Sequence, residues 1–242
     1  MPDTTAVDPA DDASLLIVGA GGFGRETAQS VLGARAAGGR LRLLGFLDDN
    51  PLLAGGEVAG IAVLGGGELA RSLAPARVVL CVGSVRDPLA RLRLARRLDL
   101  PDARFATVVH PSVVVSGDSV IGPGSVLLAQ SVLTAEVRIG AHVAVMPRVV
   151  FTHDNVIEDF VTVASGVGLA GGVHVERGAY LGAGAQVREY VRIGAGSVVG
   201  MGSVVLDDIP SGQVWAGNPA RYLRTLAFSE AEPYSSSHRG GS

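Results

Sequence analysis

Cysteine is nearly absent: Cys81 is the only one in 242 residues. It lies inside the apolar run Val78–Val82 and reads as a small buried hydrophobe, not as a nucleophile or half of a disulfide. Aromatic residues are also scarce, at 5% of a chain that is 48% hydrophobic and holds 34 glycines. Small aliphatics must therefore fill the interior, as in a β-rich repeat. No basic run occurs and the formal net charge is −3, which argues against nucleic acid as the main partner. No apolar stretch is long enough to cross a bilayer, so no membrane association is expected. Residues 1–14 are acidic and polar, without the basic start and apolar core of a signal peptide. They are expected to be disordered and the protein to be soluble and cytoplasmic.

What the chain has is order. Counting by sixes from Ile121 to Val205 meets fifteen apolar residues without a slip, and Val109 and Val115 extend the row backwards. Four places after each of them stands a small or β-branched residue, with one break at Asn155. The first row has one member that is not aliphatic, Phe151. Between these two irregularities sit His153 and Asp154. Six residues suit a strand of about four and a corner of about two. Three such sides close a triangular coil of eighteen residues, and coils stack at ~4.8 Å. Residues 109–206 then form a prism of between five and six coils, roughly 25 Å long.

Ahead of the repeat, residues 15–108 alternate apolar runs with helical spacing. Strands are expected at Leu15–Val18, Leu41–Leu47, Arg77–Val82 and Phe105–Val109. Helices are expected at Arg25–Gly38 and at Asp87–Leu98, the latter with an arginine-rich outer face. This predicts a small Rossmann-like α/β domain. Gly19-Ala20-Gly21-Gly22-Phe23-Gly24 follows the first strand and opens the first helix. Such glycines bring the backbone and a helix N-terminus close to a phosphate, and Asp48 or Asp49 at the next strand end can accept ribose hydroxyls. Gly83, at the end of the third strand, belongs to the same candidate substrate site. Only one βαβαβ half fits in this length, so a mononucleotide-sized group is favoured over NAD. After Val205, residues 207–228 form an expected cap in which Ile209 and Trp215 close the prism and Arg221–Phe228 makes a short helix. Residues 229–242 read as a flexible tail.

The hexapeptide rows followed by Gly217-Asn218-Pro219-Ala220-Arg221 resemble the left-handed β-helix acyltransferases. The Gly-Ala-Gly-Gly-Phe-Gly-Arg-Glu stretch and Leu47-Asp48-Asp49 resemble the N-terminal domain of one branch, the sialic acid O-acetyltransferases and UDP-amino-sugar N-acetyltransferases. The resemblance implies the left hand of the helix, a homotrimer with sites between prisms, and direct acetyl transfer from acetyl-CoA to a sugar. It implies His153 as general base and Asp154 as the acid that orients it, with Gly19–Gly24 and Asp48 holding the sugar nucleotide. Three positions depart from the pattern. Phe23 stands where the glycine motif carries His, Met146 where an Asn lies near the acceptor amine, and Thr162 where a second His is expected.

Counting by eighteens from His153 places Gly171 one coil above it, so the amide of Gly171 or Gly172 is the candidate oxyanion donor. Ala183, Met201 and Gly202 are candidate contacts for the pantetheine arm of CoA, further up the groove. His110, before Pro111, reads as a domain-junction residue, and His142 and His174 read as isolated corner or outer-face residues; His142, His153 and His174 occupy unlike hexad positions, so no metal site is expected. Acetyl-CoA-dependent N- or O-acetylation of a sugar is the expected function. The alternatives are a catalytically weak sugar-nucleotide scaffold, an acyltransferase acting on a non-sugar, and an NAD enzyme.

Overall fold

The computed structural model describes residues 13–226. The tail expected at 229–242, and most of the segment expected to be disordered, lie outside them. Ser14 already belongs to the first strand, β1 (Ser14–Val18). It is followed by α1 (Gly22–Ala36), β2 (Arg42–Leu47), a hairpin of β3 (Glu57–Val58) and β4 (Ile61–Gly65), α2 (Leu69–Ser72), β5 (Arg77–Leu80) and α3 (Ala90–Leu98). The sheet order is β3-β4-β2-β1-β5, parallel except within the hairpin. β1 is an interior strand between β2 and β5, apolar on both faces, and consecutive residues feed opposite layers. Leu15 and Ile17 pack with Ala28 and Val31 of α1, while Leu16 and Val18 pack with Leu92, Ala95 and Leu98 of α3. The sheet is therefore covered on both sides, as buried parallel strands require. The β3–β4 hairpin was not expected; its two-residue turn, Ala59-Gly60, has φ of 52° and 75°, the left-handed pair that suits strand twist.

The expected fourth strand, Phe105–Val109, divides in two. Phe105 makes a single bridge to Val78 at the sheet edge, whereas Val108–Val109 already pairs with Val126–Leu127 as the first strand of the prism. From there a two-residue strand recurs every six residues to Val204–Val205. The strands are shorter than the four residues expected because the corners take up the rest. Three parallel sheets form the faces, with partners eighteen residues apart, as in Val132, Val150, Gly168, Gln186 and Val204. The sixfold aliphatics and the small residues four places on are buried together as one core.

A third row emerges only in three dimensions. Every sixth residue from Gly124 to Gly202 has φ between 50° and 72°, and seven of these corner residues are not glycine, Asp154 and Tyr190 among them. Left-handed backbone costs a non-glycine residue about 1 kcal/mol or more. The ladder of backbone hydrogen bonds between coils holds it in place, since from His142 to Gly202 each such corner amide donates to a carbonyl of the coil below, as Asp154 does to the Ala135 carbonyl at 3.1 Å.

At the far end, Ile209 is buried in the core and bridges Ile193. Gln213–Gly217 adds to one face and pairs antiparallel with Ala220–Thr225. The helix expected over Arg221–Phe228 is thus a strand as far as Thr225. Its edge-on pairing with Gln213–Gly217 satisfies backbone groups that local helix propensity had no reason to anticipate.

Arg91 joins the two parts of the molecule. Expected on an exposed face of α3, it is only 2% exposed. Its guanidinium donates to the carbonyls of Val82, His142, Phe160 and Val161 and to Thr162 Oγ1, at 2.7–3.1 Å. Burial pulls its pKa down to about 10. Beside it His142, expected on an outer position, is buried. Its ring is stacked 4.8 Å from Phe160 and edge-on to Phe105 at 4.5 Å. Burial first, then the Arg91 charge, lowers the His142 pKa to about 3.

Two expectations follow. Arg91→Lys loses the planar fork and should lower stability by about 3 kcal/mol or more in chemical denaturation; a loss under 1 kcal/mol would show that the junction stands without it. His142 takes up a proton near the ordinary histidine value of about 6.5 when unfolded but only near 3 when folded, so stability present above pH 6.5 drains away as pH falls through that window. Between pH 6.5 and 5 the parent should lose roughly 2 kcal/mol more than His142→Leu, and equal slopes in the two proteins would refute the assignment.

Candidate active site

His153 and Asp154 occupy one edge of the prism. Asp154 is a left-handed corner residue, φ 62°, and the turn brings its carboxylate to 2.7 Å from the neighbouring His153 Nδ1. The pair is 59% and 58% exposed in the single chain. With Nδ1 held by the carboxylate, Nε2 is the ring nitrogen left for a reaction. That side of the ring lies against Gly171, one coil up: a Cβ built on Gly171 would fall inside contact distance of His153 Cε1 and Nε2. The two amides proposed as oxyanion donors are not equivalent. Gly172 N–H donates to the His153 carbonyl at 2.9 Å as part of the corner ladder and is unavailable. Among the described residues the Gly171 N–H meets no intramolecular acceptor.

The glycine-rich turn packs as its pattern requires. Gly24 leaves no space for a Cβ, which would strike the Gly19 carbonyl oxygen, while Gly21 and Gly22 face open space. Asp48 ties the turn to the end of β2 by accepting Ala20 N–H at 2.8 Å and Asn50 N–H at 2.9 Å. Asp49 is otherwise engaged: Gly67 N–H and Arg97 hold its carboxyl, in that order of effect, below the usual carboxylate range. These contacts brace the end of β2 against Gly67 and against Arg97 of α3. Gly83 lies against the Arg91 guanidinium, and Thr162 accepts from Arg91, so both belong to the domain junction. Phe23 and Met146, from different domains, pack against the same apolar cluster.

Residues 14–98 match the PglD N-terminal domain family. The acetyltransferase domain of PglB from Neisseria gonorrhoeae, solved with acetyl coenzyme A, is 31% identical, with a TM-score of 0.76 over 87% of this chain and 98% of that one. The chain belongs to the left-handed β-helix sugar acetyltransferases. PerB from Caulobacter crescentus, solved with CoA and GDP-perosamine, is 29% identical with a TM-score of 0.77, covering 88% of this chain and 98% of that one. A 2,3,4,5-tetrahydropyridine-2,6-dicarboxylate N-acetyltransferase of Clostridium perfringens is 53% identical over 38 residues, a stretch that spans only 16% of either chain.

Within this family framework the column above His153 continues through Gly171 to Glu189 and Asp207, each eighteen residues on. Arg188, Glu189, Tyr190, Val191, Asp207 and Asp208 line an open groove of about 630 Å³ there. Tyr190 is 76% exposed and its ring covers Gly172. These residues were missed in the sequence, although the eighteen-residue count that found Gly171 would have found them. Ala183, Met201 and Gly202 fall elsewhere. Gly202 donates to the Ala183 carbonyl in the corner column of Ser165 and Gly184, a different edge from that of His153. They are not further up the same groove, because twelve residues from 153 to 165 turn two corners of the triangle.

Cys81 is buried, donates to Thr27 Oγ1 at 3.3 Å, and has its thiol pushed up to about 12 by burial, so no thiolate forms near neutral pH. His174 lies between Glu158 and Arg192 in an outer-face network and is not isolated. Gly171→Ala should shift the His153 ring, which can swing outward, while changing stability by less than about 1 kcal/mol. An unchanged His153 Hε1 resonance in that variant would show that the ring is not held against Gly171.

Proposed function

We propose that this protein transfers acetyl from acetyl-CoA to an amino or hydroxyl group of a sugar, in nucleotide-linked form, within one ternary complex. The observation that carries the reading is the His153 ring, bound to Asp154 through Nδ1 at 2.7 Å and lying with its Nε2 side against Gly171. His153 Nε2 accepts the proton of the acceptor N–H or O–H as that atom attacks the thioester carbonyl. Asp154 fixes the tautomer and stabilises the imidazolium. Gly171 N–H donates to the tetrahedral oxyanion. Collapse breaks the C–S bond, and the imidazolium returns its proton to the departing thiolate, giving CoA and the acetylated sugar. PglB solved with acetyl coenzyme A and PerB solved with CoA and GDP-perosamine support these substrate classes.

The sugar nucleotide is assigned to the glycine-rich turn, with Gly21 and Gly22 open to a ligand and Asp48 at its edge. A homotrimer accounts for the remaining geometry. An exposed base and acid need a second surface to exclude water, and Ala183, Met201 and Gly202, on another edge, would meet CoA across a subunit boundary. One observation favours a second reading, a sugar-nucleotide scaffold of weak activity: Phe23 and Met146 present an apolar surface at two positions where polar groups were expected.

The test is release of free thiol from acetyl-CoA with a panel of amino-sugar and hydroxy-sugar nucleotides. The parent should release thiol with at least one acceptor, and His153→Ala should slow the chemical step by about 10²–10⁴-fold without loss of assembly. Full activity in His153→Ala would overturn the assignment of the base. A parent that binds the nucleotides yet releases no thiol would favour the scaffold.

A further inference from the structure

Asn155 is the one member of the second hexapeptide row that is neither small nor aliphatic, and the proposed chemistry gives it no role. It is 0% exposed, and the residues one coil below and above it, Val137 and Val173, are buried valines. Its Nδ2 donates to the Ala170 carbonyl at 2.7 Å. Its Oδ1 is buried without a hydrogen-bond partner, which costs about 1–3 kcal/mol. Serine in the same row avoids that cost. Ser125 Oγ donates to the Gly140 carbonyl at 2.8 Å while accepting Val143 N–H at 2.9 Å, and Ser131 bridges Met146 and Val149 in the same way. For stability alone, serine or valine is the better occupant.

What distinguishes Asn155 is the peptide it holds. The Ala170 carbonyl and the Gly171 N–H belong to one planar trans unit, in which the two bonds point in opposite directions. A buried amide that draws the carbonyl inward therefore turns the Gly171 N–H outward, onto the edge where His153 stands. The restraint is needed there, since Gly171 and Gly172 are consecutive glycines with the widest backbone freedom. We infer that Asn155 is a positioning residue, which orients the Ala170–Gly171 peptide so that the Gly171 N–H faces the reacting carbonyl beside His153. The inference rests on the acetyl-transfer reading proposed above.

The experiment compares Asn155→Val, the residue the repeat carries on either side, and Asn155→Ser, which can reach the same carbonyl, with the parent. Asn155→Val should reduce kcat by about 10- to 100-fold, leave KM for acetyl-CoA and acceptor within about twofold, and keep the unfolding midpoint of the parent or exceed it. Asn155→Ser should recover most of the lost rate. An active parent with an unimpaired Asn155→Val, or a loss that appears in KM and stability together and is not rescued by serine, overturns the inference. Should Asn155→Val fail to assemble, Asn155→Ala carries the same comparison. A parent with no transfer activity would count against the proposed function alone, and the crystal structure of Asn155→Val would then decide. A rotated Ala170–Gly171 peptide supports the positioning role and an unrotated one refutes it.

Discussion

The eighteen-residue ladder is the constraint on which everything else in this molecule depends. Each coil donates its backbone N–H groups to the next at fixed register, so a residue's neighbours above and below are settled by arithmetic. The same closure places the sixfold aliphatics in one core and sets a left-handed residue at every sixth position from Gly124 to Gly202. Because the ladder is cooperative along the prism, it tolerates glutamine, histidine, arginine, phenylalanine and tyrosine at corners where an isolated turn would favour glycine or asparagine. Asp154 is one of those corner residues, so the backbone conformation that builds the prism also swings its carboxylate onto His153.

The candidate site is thus a local use of a global repeat. His153 and Asp154 are adjacent in sequence, Gly171 is one coil away, and Asn155 reaches up from inside the core to the peptide that carries the Gly171 amide. A single scaffold period brings together a histidine, the carboxylate that holds its Nδ1 and a free backbone donor. The groove at Tyr190, Glu189 and Asp207 continues the same edge by the same count.

The junction between the parts is held differently. A charged guanidinium is buried among carbonyls from the N-terminal domain and the prism, beside a histidine kept neutral between two phenylalanines. Carbonyl dipoles from both parts converge on Arg91, where a carboxylate partner would have tied it to one residue only. Thr162, at a position where the family pattern places a second histidine, has become part of that bolt. Phe23 and Met146, the other two departures noted in the sequence, meet in one apolar cluster.

Periodicity in the sequence by itself determined the prism, its eighteen-residue coil, the inward rows and the stacking of Gly171 over His153. All of these follow from local repetition, in which each residue's environment is a copy of the one six or eighteen places away. Tertiary structure alone decided which of two glycine amides is free, that Asp49 and Thr162 are already engaged, that Arg91 and His142 are buried, and that Ala183 and Met201 stand on another edge. It also decided that the chain after Gly217 returns as a strand. These depend on contacts between segments of unlike sequence, where no period relates the partners and only the folded geometry says which hydrogen-bonding groups are already spoken for.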